Sequence, residues 1–253
     1  VAAASGARRP AGASNRRAVD LRYRYLYKPV VFCACLVPFA GCLGGILALY
    51  GIRWAHGFNL GVDPERYVLD VFGKTTLNML LITLCVSPVR QLSGWSNLLR
   101  LRRMLGLFAF FYALMHFTTY VGPYENLSWT MIWQDIVKRP YITIGFAALL
   151  MLLPLAITST NRMMRRLGRR WQPLHRLIYL IVCLGVLHYW KMIKLAGREP
   201  LIYVSIIAVL LGWRVWRQWR QRHQARQWQA TAGARASASP TSRSATPKAP
   251  GRA

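Results

Sequence analysis

Apolar residues along this chain gather into six long runs separated by short polar segments, at residues 30–50, 68–87, 104–122, 140–158, 174–193 and 200–218. Each run is close to the roughly 20 residues that cross a bilayer as a helix. The pattern therefore predicts an all-α, polytopic membrane helix bundle with six transmembrane helices. The second run is the most interrupted, by Lys74, Thr75, Thr76 and Asn78, although its later part, LNMLLITLCVSPV, is strongly apolar. Pro38, Pro88 and Pro154 do not argue against the spans, because neighbouring helices can satisfy the carbonyls that a proline frees. Residues 1–28 form a basic arm. The apolar run after it continues through Tyr50 without a small-residue cleavage site, which predicts a retained span rather than a removed signal. The final ATAGARASASPTSRSATPKAPGRA is low in complexity and is assigned no structure. The expected organisation is thus a basic N-terminal arm (1–28), a six-helix membrane domain (29–220) and a disordered basic tail (221–253).

Composition strengthens the membrane reading: 54% of residues are hydrophobic and only 16% charged. Charge first suggests something else, since 34 Lys and Arg against 7 Asp and Glu give a formal +27, a balance familiar from nucleic-acid binders. Its placement rules that class out. The bases lie in short clusters between apolar runs, as in NRMMRRLGRR (Asn161 to Arg170). Six spans put the N-terminal arm, the 88–103 and 159–173 loops and the C-terminal tail on one side, which the positive-inside rule makes cytoplasmic. The outward loops, 51–67, 123–139 and 194–199, carry Asp63, Glu65, Glu125, Asp135 and Glu199. After the last span, WRVWRQWRQRHQARQW reads as a helix end leaving the membrane among anionic headgroups. Cys33, Cys35, Cys42, Cys85 and Cys183 all sit in apolar runs without metal-ligand spacing, and are expected to be buried small hydrophobes.

Three of the five histidines, His116, His175 and His188, lie in or at the ends of spans, where a ligating or ionisable side chain is costly and so a functional candidate. His56 and His223 fall in solvated segments. His116 lies 13 residues beyond Arg103, about 20 Å into the bilayer, and His188 lies 15 residues beyond Pro173, about 22 Å along its own span. The two imidazoles reach one level in the outer half, as an axially bis-histidine haem requires. On a continuous helix, His175 is about 20 Å lower than His188 and about 140° around from it, which marks a second station near the cytoplasmic face. Fourteen residues before His116, on nearly the same face, stands Arg102, suited to a haem propionate or a flavin phosphate, or to simple anchoring. No dinucleotide, P-loop or hydrolase motif is present.

LRRMLGLFAFFYALMHFTTY, KRPYITIGFAALLMLLPLAITSTN, RRLGRRWQPLHRLIYL, LHYW and REPLIY, in this order, resemble the MsrQ (YedZ) family, from about residue 26 to 215. The resemblance implies a ferric-reductase-like transmembrane domain in the bacterial inner membrane, with b-type haem, one or two copies, and FMN as an associated cofactor. It implies an electron-transfer subunit rather than the catalytic one. Electrons would come from the quinone pool or a cytoplasmic flavin reductase and pass to the periplasmic molybdopterin enzyme MsrP, which reduces methionine sulfoxide in oxidised proteins. Within it, His116, His175 and His188 match haem-associated histidines and Arg102 a haem-proximal arginine. Three rivals stand beside this reading: a stand-alone ferric or quinone reductase, a proton-coupled transporter, and a basic membrane-surface scaffold. The transporter lacks the expected intramembrane acids, apart from Asp70 near a helix end. The scaffold leaves the matched depths of His116 and His188 as coincidence.

Overall fold

The computed structural model describes residues 26–50, 61–94, 98–125, 127–193 and 198–238. Its elements are α1 (Lys28–Leu49), α2 (Pro64–Ser93), α3 (Leu98–Thr119) closing in a π turn (Tyr120–Tyr124), α4 (Trp129–Lys138), α5 (Pro140–Ile157), α6 (Asn161–Leu167), α7 (Trp171–His175), α8 (Leu177–Ile193) and α9 (Glu199–Ala238). No strand occurs among the described residues. Five helices are long and apolar enough to cross a membrane, and a sixth span is available if the bent pair leading into α8 counts as one. This is the all-α membrane bundle that the hydropathy pattern predicts. The arm at 1–25, the loops at 51–60 and 194–197, His56 and the end of the tail lie outside the described residues.

Four helices make the core. The α2–α3 pair is the most extensive and α5–α8 the next, while α3 also packs on α5 and α2 on α8. The four close into a ring in which α3 and α8 stand opposite each other. Leu80, Leu84, Ala109, Tyr112, Leu152, Leu155, Ile181 and Val182 fill the interior. Ile82, Leu150, Leu153, Leu180 and Leu187 are exposed on the outside, the side a bilayer would wet with acyl chains. Cys35 and Cys42 are buried as expected, but Cys33 and Cys183 face outward, because an apolar run in a bundle has a lipid face as well as a core face.

Local chemistry sets the helix ends. Asp63 caps α2 by accepting from the Arg66 amide at 3.1 Å with Pro64 in the first turn, and Gly94, at φ 70°, ends it in the left-handed conformation only glycine adopts freely. Of the polar residues that interrupt the second run, Thr75 is buried in the bundle and the other three find partners within the structure. Thr76 donates to its own helix at Phe72, Asn78 accepts from Tyr203, and Lys74 pairs with Glu199 at 3.0 Å.

Three expectations are corrected. The outward segment 123–139 contains the helix α4. The fifth run is not one helix: it breaks at Arg176, where the stretch ending at His175 and the helix beginning at Leu177 meet at 42°. A single-turn 3-10 segment (Gly168–Arg170) leads into α7, and Pro173, lacking an amide proton, weakens the ladder just before the bend. The 140° offset between His175 and His188, which assumed a continuous helix, therefore does not apply. Finally, α9 runs to Ala238, well past the boundary expected at residue 220, since Gln, Arg and Ala are good helix formers even without a core. The chain divides into two compact units at Ile207, the second being the later part of α9. In it, Trp213 and Trp216 lie 5.4 Å apart and the Arg220 guanidinium sits 4.4 Å over the Trp216 ring.

Candidate functional site

The helical rise that put His116 and His188 at one depth brings them together. Their ring centroids are 6.2 Å apart and their planes nearly perpendicular, at 82°. Both lie near the ends of α3 and α8 that meet the acid-bearing loops, and both reach inward from opposite sides of the four-helix ring.

Each ring is held in the same way. The His116 Nδ1 is 2.9 Å from the Leu69 carbonyl on α2, and the His188 Nδ1 is 2.6 Å from the Tyr141 carbonyl on α5. A carbonyl only accepts, so Nδ1 carries the proton in both, and in the neutral imidazole Nε2 is left with its lone pair. Each ring also lies against a glycine. A Cβ on Gly73 would stand 3.0 Å from His116 Cε1, and one on Gly145 only 2.8 Å from His188 Nδ1. These two glycines carry no chemistry and escape a search for functional side chains. A signal for them is nonetheless present as an internal repeat, GKTTLNMLL at Gly73 and GFAALLMLL at Gly145, displaced by the same 72 positions that separate the two histidines.

His175 is not part of this pair. It sits in α7 on the arginine-rich side of the bundle, stacked on Trp171 with centroids 4.0 Å apart, and its Nδ1 lies 3.2 Å from the Trp171 carbonyl. The Trp171 indole in turn donates to the Thr158 carbonyl at 3.1 Å, which anchors the stack to the end of α5. The His175 Nε2 is buried with no well-formed hydrogen bond, although the Leu155 backbone lies close enough to interact with the ring. Arg102, at the start of α3, is near enough to act on the His175 imidazole electrostatically, whereas its neighbour Arg103 turns away to Asn161 and Met164 at α6.

Two imidazoles with free Nε2 lone pairs are a ligand set of two. Among the described residues no group of three or more His, Cys, Asp or Glu is arranged to hold a metal ion. A metal at the pair must take its other ligands from a non-protein group, which is the situation of iron in a porphyrin.

Residues 72–186, which span this ring of apolar helices and most of its histidine pair's framework, match the family model described as "Ferric reductase like transmembrane component", so the class is a ferric-reductase-like membrane domain. Relatives narrow this further. The chain is 49% identical over 193 residues (74% of this chain, 85% of the relative) to the protein-methionine-sulfoxide reductase heme-binding subunit MsrQ of Xanthomonas axonopodis pv. citri. It is 48% identical over 195 residues (75% and 84%) to the protein of the same name from Herminiimonas arsenicoxydans. With Xanthomonas campestris pv. campestris (strain 8004) the identity is 54% over 156 residues, 62% of this chain and 72% of that one. The chain belongs to the MsrQ family.

Proposed function

We propose that this protein is a haem-binding electron conduit: His116 and His188 hold a b-type haem between α3 and α8, and the membrane domain carries electrons to a partner that reduces methionine sulfoxide. The observation that supports this most directly is the paired geometry. Metal–nitrogen bonds of about 2.0 Å to one nitrogen of each ring place the two centroids about 6 Å apart, the separation found here. A bound porphyrin would supply the ligands that the two histidines do not.

When bound, the haem provides a one-electron iron couple. What the chain itself does is orient and insulate. The Leu69 and Tyr141 carbonyls fix the tautomer and ring angle of the two histidines and make each imidazole a stronger donor. Leu77, Phe72, Tyr112 and Val186 are buried around the histidine-bearing helices and keep water from the site. On the arginine-rich side, the buried Nε2 of His175 and the cation of Arg102 fit a second station, a haem edge or the phosphate of an FMN, held by one nitrogen and one charge. That side is the cytoplasmic one by the positive-inside rule, with both termini on it and the inner membrane as the location. The donor is the quinone pool or a cytoplasmic flavin reductase, and the acceptor a periplasmic molybdopterin subunit, MsrP. The membrane part would cover 29–220, with α9 continuing beyond it as a helix outside the bilayer.

The test is the reduced-minus-oxidised absorbance spectrum of the solubilised full chain. His116→Ala and His188→Ala should each remove the same low-spin b-type signal, while His175→Ala leaves it and removes any second component. A full low-spin signal in either of the first two variants would overturn the assignment.

A further inference from the structure

The two imidazole cradles are the same device built twice. In each, a carbonyl at position n accepts from the ring, a glycine at n+4 lies under it, and the histidine follows the carbonyl by 47 residues: Leu69, Gly73 and His116 in one, Tyr141, Gly145 and His188 in the other. The hairpins that carry them, α2 with α3 and α5 with α8, are the two best-packed helix pairs. Both run in the same sense through the bundle, so the cradles approach one point from two sides.

The glycine has a specific task in this arrangement. In a helix the carbonyl of residue n points along the axis toward the amide of n+4, and the side chain at n+4 normally covers its flank. A carbonyl oxygen has a second lone pair, but a ring can reach it only if that flank is bare. At Gly145 an added Cβ would come within 2.8 to 3.2 Å of His188 Nδ1, Cε1 and Cγ, which strikes the body of the ring rather than a mobile tip. At Gly73 the contacts are 3.0 and 3.1 Å to Cε1 and Nδ1 and 3.8 Å to Nε2, a milder collision. The ring cannot both keep its hydrogen bond and accommodate the methyl.

We infer that Gly73 and Gly145 are positioning residues for the axial ligands, setting the angle at which His116 and His188 present Nε2. The inference rests on the haem assignment above. Because the imidazole angle and its hydrogen bond govern ligand strength, they act on the spin state and potential of the iron and not only on folding.

Gly73→Ala, Gly145→Ala and Gly185→Ala are compared in the full chain for haem content, spin state and midpoint potential, beside His116→Ala and His188→Ala. Gly185 is the control: it lies one turn before His188, and its added Cβ would meet only Leu77 at an ordinary 3.6 Å. Gly145→Ala is expected to lose several-fold in bound haem or to convert the remainder partly to high spin, with a shifted potential. Gly73→Ala should show the same change more weakly, and Gly185→Ala should match the parent. If Gly145→Ala does not accumulate, the decision falls to Gly73→Ala, where the smaller clash leaves the fold intact. Parent-like spin state and potential in the glycine variants, with haem lost in the histidine variants, would overturn the inference. Haem retained in the histidine variants would show instead that the ligand assignment had failed.

Discussion

Tyr112 is fully buried, one helical turn before His116, and its hydroxyl is wedged into the backbone of α1. It donates to the Cys35 carbonyl at 2.5 Å and accepts from the Phe39 amide at 3.2 Å, two groups that form one i→i−4 pair of α1. Pro38, beside them, lacks an amide proton and leaves the Ala34 carbonyl without its i→i−4 donor, and the tyrosine ties the backbone of the same turn to α3. Tyr112→Phe leaves both α1 groups without that partner in an apolar medium, so it should destabilise the solubilised protein by about 1 to 2 kcal/mol. Thermal unfolding followed by circular dichroism should show a lowered midpoint, with the haem spectrum of the folded fraction unchanged. The residue scale also shows where sequence reading stops. The depth of His116 and His188 was legible because helical rise is constant, and so was their partnership. The notches at Gly73 and Gly145 left only the 72-residue repeat as a trace, because the role of a glycine in an apolar run is set by the ring that a different helix lays against it.

At the scale of elements, the long spans were legible because a backbone in lipid must satisfy itself, and a long apolar run leaves the chain little alternative to a helix. The exceptions share a cause: they are places where another surface, not the run itself, decides. The bend after His175 follows a proline and a 3-10 turn in a segment whose hydropathy alone continues unbroken. The helix α4 is hidden in a loop of mixed composition. Its Ile132 is buried against the bundle, and the Asp135 carboxylate accepts from the Tyr120 hydroxyl at 3.1 Å and pairs with Arg139 at 3.0 Å. Trp129, Trp133 and Val137, spaced four apart, remain exposed as one stripe, with Thr130, Gln134 and Lys138 as the next. A short helix with one face on protein, one apolar stripe rich in tryptophan and one polar stripe is suited to lie at the headgroup level. A polarity-sensitive fluorophore attached at position 133 should therefore emit to the blue of the same fluorophore at position 134 when the protein is in vesicles. Equal emission from the two sites would show that α4 does not rest on the lipid.

For the whole molecule, what matters is how charge is divided between the two ends of the bundle. Arg100, Arg102, Arg103, Arg162, Arg165, Arg166, Arg169 and Arg170 collect at one end of the core helices, whereas Asp63, Glu65, Glu125, Asp135 and Glu199 collect at the other. Both the threading of the chain and the direction of electron flow depend on which end faces the cytoplasm. Lys74 lies within a span toward the acidic end, and its pairing with Glu199, which also accepts from the Tyr189 hydroxyl at 2.7 Å, offsets its charge there. The histidine pair lies toward the acidic end, so a haem held there, as proposed, would be the station from which electrons leave. The orientation is checked directly with reporter fusions. Alkaline phosphatase joined after Leu127 should be active and the same enzyme joined after Leu167 inactive, whereas a fluorescent protein that matures only in the cytoplasm should fluoresce when joined to the end of the chain. The reverse pattern would place the histidine pair near the cytoplasmic face, and a periplasmic acceptor would then be on the wrong side of the membrane to be served by it.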